Sequence, residues 1–298
     1  MKTLTHTDLA DMVEAQLLLW PLAKKNHDAL REVRMKQLDA GDLRIGVLHN
    51  PERMVSTGAA TDAASISKRP CFLCKCNRPQ EQMAMEIAEG WELCVNPYPI
   101  FPLHFTIISK EHKDQSRPPY EMASMAEMMP DMVVFFNGAK AGASAPDHLH
   151  LQAILKSELP IVALAEKIHK PGGAPITASS DSGLCLPFLF YSAIITPDEP
   201  GMKTLQAICS VTGADSEGNA YPGLVNVYFW MGSEGLLRAV AVPRKAHRPG
   251  CYGFEEDGFV ISPGAVDMGG YIIAPREKDF ERLDADKAWE IYGDVGYR

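Results

Sequence analysis

The chain has 298 residues, of which 46% are hydrophobic and 22% charged, with a formal net charge of −9; such proportions belong to an ordinary folded protein with room for one large domain or two medium ones. The acidic balance argues against a nucleic-acid or anionic-membrane partner, because counterion release needs clustered Lys and Arg. A small anionic substrate stays open, since the field in a pocket need not follow net charge. No apolar run approaches the roughly 18 residues of a membrane span. Acids interrupt the start MKTLTHTDLADMVEAQ before a signal-peptide core could form, so a cytoplasmic protein is expected.

In chain order, residues 8–38 read as helical. Leu9, Met12, Val13, Ala15 and Leu17 make an apolar stripe, Pro21 breaks it, and a second helical stretch runs over 23–38. A short strand is expected at 44–48, and the small polar residues of 55–70 read as loop. CFLCKC follows at 71–76, then strand candidates at 91–96 and 104–109 and a short helix over 120–129 that ends at Pro130. MVVFF at 132–136 has the pattern of a buried strand. The small-residue loop NGAKAGASAPD then leads into HLHLQAIL. In a strand with a side-chain period of two, His148, His150 and Gln152 share one face, while Leu149 and Leu151 point to the other.

The Pro/Gly/Ser-rich run KPGGAPITASSDSG at 170–183 is the main break and reads as a linker between halves 1–169 and 184–298. In the second half, 225–230 and 236–242 read as a strand pair. There AVAVPRKAH repeats the pattern of FTIISKEH, which suggests a duplicated α+β unit whose second copy lacks the double histidine. The alternative is a simple long-strand sheet with decorating helices.

Four features bear on chemistry. The first is H-x-H-x-Q at 148–152, preceded by Gly138, Gly142, Ala143 and Ser144. A neutral imidazole is a good nucleophile near pH 7, and a phosphoramidate passes its phosphoryl group onward. Small residues let backbone N–H groups approach phosphate oxygens, and Ser144 adds a hydroxyl donor. A lone strand histidine is usually structural; two with a glutamine on one face after such a loop point to function.

The second feature is Cys71-x-x-Cys74. With seven cysteines in all, three of them within 71–76, and no secretion signal, metal binding is expected over disulfides. Two thiolates at this spacing form half of a tetrahedral zinc site. His112 and His148 are candidates for the other half, His104 less readily, with Cys76 a spare thiol; a redox pair or buried reduced thiols are the rivals. Third, Arg244 and Lys245, with His247 and Arg248 close behind, either hold phosphates or form a solvated turn. Fourth, neither a P-loop nor a dinucleotide glycine fingerprint after a strand occurs, so kinase and dehydrogenase readings have no support.

The segment FFNGAKAGASAPDHLHLQ resembles the active-site segment of galactose-1-phosphate uridylyltransferases and diadenosine tetraphosphate phosphorylases, members of the histidine-triad superfamily. CFLC at 71–74 stands where the uridylyltransferases carry a like segment, while NPYPIFPLHFTIISKEH is more similar to the phosphorylases and to plant-type GDP-hexose phosphorylases. The resemblance covers roughly 70–155 and is fainter over 224–285; the first forty residues and 170–220 match nothing. It implies antiparallel histidine-triad-like sheets with flanking helices. His150 corresponds to the nucleophile and Gln152 to the residue that hydrogen-bonds the transferred phosphoryl group, in place of the histidine of hydrolases. Ser144 and Asn137 correspond to residues that hold phosphate oxygens. Cys71, Cys74, His112 and His148 correspond to the ligands of a structural zinc ion. Asp147 is one residue more than the uridylyltransferase pattern has between Pro146 and His148.

The implied activity is that of a nucleotidyltransferase or phosphorylase. It would act on a nucleoside diphosphate sugar or dinucleoside polyphosphate through a nucleotidyl-histidine intermediate, with phosphate or a sugar phosphate as acceptor. Gly142, Arg244 and Lys245 join Asn137 and Ser144 as expected substrate-binding residues. The competing classes are a non-catalytic nucleotide-binding protein and a zinc-dependent interaction module. Uridylyltransferases of this kind build sites across a homodimer, whereas a duplicated chain makes its site alone.

Overall fold

The structure, a computed structural model, describes residues 2–58, 63–169, 172, 174–214 and 217–298. Parts of the expected polar loop (59–62) and of the expected linker (170, 171 and 173) lie outside the described residues.

The chain opens with two helices. α1 (His6–Leu19) begins at Thr5, whose hydroxyl accepts from the Asp8 N–H while the Asp8 carboxylate accepts from the Thr5 N–H, so two otherwise orphaned donors are satisfied. Its buried positions Leu9, Val13 and Gln16 fall at helical spacing. Pro21 starts α2 (Pro21–Asp28), where its missing N–H costs nothing. The helix expected to reach residue 38 stops early. A 3-10 turn at Ala29–Glu32 leads into β1 (Arg34–Ala40), which pairs antiparallel with β2 (Leu43–His49) from Arg34↔His49 to Ala40↔Leu43. Local residues there carry no strand pattern; cross-strand pairing outweighs propensity.

Two short helices, α3 (Met54–Thr57) and α4 (Ala63–Ile66), occupy part of the expected loop. Then come β3 (Met85–Ala88), β4 (Trp91–Val95), β5 (His104–Ser109), α5 (Met122–Met128), β6 (Met132–Asn137), β7 (His150–Leu155) and α6 (Pro160–Ile168). β7 starts at His150, so His148 sits in the bend before it rather than on the strand as expected. The second half supplies β8 (Ile176–Ala178), β9 (Tyr191–Ile195), α7 (Glu199–Ser210), β10 (Val225–Met231) and β11 (Leu237–Pro243). It closes with α8 (Ala265–Met268), β12 (Tyr271–Ala274), α9 (Glu277–Arg282) and α10 (Ala285–Val295).

Nine strands form one antiparallel sheet in the order β3-β4-β5-β7-β6-β10-β11-β9-β8. β1, β2 and β12 form a second, three-stranded sheet in which β12 runs parallel to β2. The architecture is thus α+β, with a large antiparallel sheet and flanking helices. The two expected halves meet where β6 pairs with β10 (Phe135↔Tyr228), and the two larger hydrophobic cores among the described residues draw on both of them.

Alternation along the strands sorts residues between the two faces. Val134, Phe136, Leu151, Val227 and Phe229 pack in one core with residues of α1, α5 and α7. Phe135, Tyr228, Trp230, Val240 and Val242 enter the other core with β2, β12, α6 and α10. At β5 and β7 this second face instead carries His104, Thr106, His150 and Gln152, with Thr106↔Gln152 and Ile108↔His150 in register. Among the described residues no helix is long and apolar enough to cross a membrane.

Candidate functional site

Four expected metal ligands come together. Cys71 and Cys74 sit on a tight turn closed by the Cys74 N–H to the Cys71 carbonyl (3.2 Å) and the Asn77 N–H to the Cys74 carbonyl (2.8 Å). His112 follows β5 and His148 precedes β7. Cys71 Sγ lies 3.3 Å from His148 Nδ1, and Cys74 Sγ lies 3.2 Å from His112 Nδ1 and 3.5 Å from His148 Nδ1. All four donor atoms fall within 4.8 Å of one another. A tetrahedron with zinc-like bond lengths has edges of roughly 3.3–3.8 Å, so the arrangement could hold a metal ion. His148 Nε2 lies 2.8 Å from the Ser109 carbonyl; a proton there leaves the Nδ1 lone pair turned to the thiols. Cys76, which is exposed, and His104, which is buried, both lie outside the cluster. The added residue Asp147 forms an ion pair with Arg69 (2.9 Å), whose guanidinium stacks on Phe72. That pair ties the Cys turn to the loop that carries Ser144 and His148.

His150 is 4% exposed. Its backbone N–H donates to Gln115 Oε1 (2.9 Å), and its carbonyl accepts from Gln115 Nε2 (2.7 Å). Its Nδ1 lies 2.8 Å from the His148 carbonyl, an acceptor only, so the proton sits on Nδ1 and Nε2 keeps a lone pair. Burial pushes the His150 imidazolium down to about 4, so the ring is neutral at pH 7.

Gln152 is oriented by a relay. The Ile100 N–H donates to His104 Nδ1 (3.0 Å), which places the His104 proton on Nε2, and Nε2 donates to Gln152 Oε1 (2.7 Å). With its oxygen committed, the Gln152 amide offers N–H donors to the open side. Burial, with the Arg53 charge adding, holds His104 down at about 3, so this relay stays neutral.

Two depressions meet at Ser144, Gln152 and Arg53, which line both. The larger, about 380 Å³, contains His150 and is walled by Trp20, Leu22, Val55, Phe72, Leu73 and Tyr98. The smaller, about 50 Å³, is lined by Arg53, Asn137, Gly142, Ser144, His247, Arg248, Ser262 and Asp267 among others. The Asp267 carboxylate accepts from the Gly264 and Ile273 N–H groups (both 2.9 Å), and burial raises its carboxyl to about 6. Burial and the neighbouring Arg248 charge push His247 down to about 3.

The substrate-binding expectations land unevenly. Ser144, Asn137 and Gly142 line the small cavity, but Asn137 also joins the two halves: its Oδ1 accepts from the Ala265 N–H (2.6 Å) and from Asn226 Nδ2 (3.1 Å). Gly142 has a packing reason to be glycine. Its φ is +93°, and a Cβ there would lie 2.3 Å from Gly264 Cα. Arg244 is fully buried and spends its donors on Asn226 Oδ1 (2.7 Å) and the carbonyls of Pro263 (3.0 Å) and Val295 (3.1 Å). Lys245 is exposed and lines a different hollow with Trp289 and Arg298. Of that basic run, His247 and Arg248 reach the cavity instead. Sequence reasoning missed Arg53, Gln115 and the role of His104, because each meets the site from a distant segment with no local signature.

A family described as a domain of unknown function (DUF4922) matches residues 12–155, a span that holds His150, Gln152 and the four clustered Cys and His residues. No curated protein matches the chain. The fold is similar to crystal structures of yeast Ap4A phosphorylase Apa2. One is 14% identical over 93% of this chain and 97% of that one, with a TM-score of 0.59. The complex with AMP is 14% identical over 97% and 96%, with a TM-score of 0.60. The complex with Ap4A is 15% identical over 97% of each chain, with a TM-score of 0.61.

Proposed function

We propose that this chain is a nucleotide phosphorylase or nucleotidyltransferase in which His150 carries the nucleotide covalently. The observation that carries the reading is the state of His150. It is buried, neutral and pinned through Nδ1 to a backbone carbonyl, and it lies on the wall of an apolar pocket that joins a cationic cavity. The apolar pocket suits a nucleoside, and Arg53 and Arg248 suit the phosphates beyond it. Likeness to a phosphorylase whose structures are described with AMP and Ap4A supports the same substrate class.

In the first step the Nε2 lone pair attacks the α-phosphorus. An N–P bond forms, the P–O bond to the next phosphate breaks, and the leaving phosphate departs as an anion towards Arg53 and Arg248. A phosphate dianion then attacks the same phosphorus, the P–N bond breaks, and the electron pair returns to Nε2. The proton stays on Nδ1, hydrogen-bonded to the His148 carbonyl, throughout. The Gln152 amide and Ser144 hydroxyl stabilise charge on the non-bridging oxygens. Cys71, Cys74, His112 and His148 suit zinc, which would act structurally by fixing His148, whose carbonyl orients the nucleophile.

The test is intact-protein mass spectrometry after brief incubation with UDP-sugar, GDP-sugar and diadenosine tetraphosphate in separate samples, beside His150→Ala. A nucleoside-monophosphate adduct on the wild type alone is expected, its mass naming the base, and added phosphate should discharge it. Nucleotide binding without an adduct from any donor would replace this reading with that of a non-catalytic nucleotide-binding protein.

A further inference from the structure

The N-terminal helices bear no reacting group, yet two of their buried amides hold the rim of the apolar pocket. Gln16 of α1 is fully buried. Its Nε2 donates to the Glu81 carbonyl (2.8 Å), and its Oε1 accepts from the Met83 N–H (2.7 Å). A buried carboxamide is costly unless both ends are bonded. Here both bonds go to the peptide groups that flank one residue, Gln82. Gln16 thus pairs with 81–83 as a neighbouring strand would, fixing the backbone on either side of Gln82. Asn26 of α2, 2% exposed, secures a second segment of the rim by donating to the Pro97 carbonyl (2.8 Å). Gln115 does the same for the nucleophile, pairing with both the N–H and the carbonyl of His150.

Gln82 lines the pocket that His150 also lines. Asn96, another amide of the pocket lining, is committed. Asn96 Nδ2 donates to Thr106 Oγ1 (3.2 Å), and Asn96 Oδ1 accepts from the Tyr98 N–H (2.9 Å). Among the described residues the Gln82 carboxamide has no hydrogen-bond partner, although its backbone N–H is held by the Pro79 carbonyl (3.1 Å). A donor–acceptor pair carried on a clamped stretch of backbone amid apolar walls suits a flat heteroaromatic ligand.

We infer that Gln82 reads the polar edge of the nucleobase, donating one hydrogen bond and accepting another from adjacent ring substituents, with Gln16 as its positioning residue. This rests on the reading of the pocket as a nucleoside site. A glutamine paired with a base in this way discriminates against a base with the wrong donor–acceptor order by roughly tenfold or more.

Isothermal titration calorimetry of the full chain with AMP, GMP, UMP, CMP and ribose 5-phosphate tests it. The wild type should bind its preferred nucleotide roughly tenfold or more above the weakest of the four. Gln82→Ala should collapse that spread while leaving ribose 5-phosphate, which has no base, bound as before. Gln16→Ala, which leaves Gln82 in place but unmounted, should narrow the spread part of the way. An unchanged base preference in Gln82→Ala, or an equal loss for all ligands including ribose 5-phosphate, would overturn the assignment. So would a wild type without base preference. If the wild type binds none of the nucleotides, the nucleotide reading of the pocket falls too; if it forms the adduct while Gln82→Ala keeps its preference, only this inference fails.

Discussion

The nine-stranded sheet shows one face to two different fates. At β5 and β7 it carries His104, Thr106, His150 and Gln152 beside open pockets. At β10 and β11 the same face carries Tyr228, Trp230, Val240 and Val242, all fully buried beneath the small sheet and the flanking helices. The extension beyond β5 ends in His112 of the Cys and His cluster, while the extension beyond β11 puts Arg244 into the interior as a clip for backbone carbonyls. What separates the two regions is cover. Where the face is packed over, polar groups are consumed holding loops together; where it is left clear, they remain for a ligand.

Equivalent substitutions on the two sides should therefore fail in different ways. His150→Ala should reduce nucleotidyl transfer by about a thousandfold or more with only a small change in melting temperature. Trp230→Ala, on the covered side, should cost about 3–5 kcal/mol of stability by opening a cavity. Activity and thermal unfolding measured on both variants would break the comparison if each lost the same property.

Metal removal comes next. A chelator should lower melting temperature and transfer activity together, and added zinc should restore both, because His148 links the cluster to the carbonyl that orients His150. A chelated protein with unchanged melting and activity would show that the Cys and His cluster needs no ion.

His104→Phe keeps much of the volume but removes the N–H that holds the Gln152 oxygen. Adduct formation on His150 should still occur, slower by about tenfold; an unchanged rate would detach the relay from catalysis.

The pH response follows from the depressed imidazole. His150 is neutral above about 4, so transfer needs no deprotonation near pH 6.5 and is lost only as pH falls towards 4. With diadenosine tetraphosphate, which has no terminal phosphate to titrate, the rate of adduct formation should be level between pH 5.5 and pH 8 to within about twofold. A step of one decade around pH 6.5 would show a solvent-like imidazole instead.

The smallest effect separates two neighbours in sequence. Lys245→Ala, at an exposed site away from both pockets, should change stability by no more than about 0.5 kcal/mol, whereas Arg244→Ala orphans buried carbonyls and should destabilise by about 1–3 kcal/mol or more. Chemical denaturation of the pair would show it.

Much of the site's membership was legible because its parts are short and local. CFLC, the small-residue loop and HLHLQ each suggest a chemistry within a few residues, and the Cys71, Cys74, His112 and His148 set draws on two of them and on the end of SKEH. The basic run at 244–248 was legible as charge but not as direction: Arg244 turns inward, Lys245 outward, and His247 and Arg248 towards the cavity. The conformation of 34–40 was hidden for a related reason, since only pairing with β2 makes that segment a strand.

Sequence alone determined the strands with strong apolar patterns, the closeness of two histidines and a glutamine after a small-residue loop, and the Cys and His residues of the cluster, because period and spacing are properties of neighbouring residues. The tertiary structure alone decided which part of the sheet face stays uncovered, that His104 sets the orientation of Gln152, and that Gln16, Asn26 and Gln115 act as backbone clamps. Those outcomes depend on hydrogen bonds between residues 35 to 71 apart in the chain, and no local pattern encodes a partner at that distance.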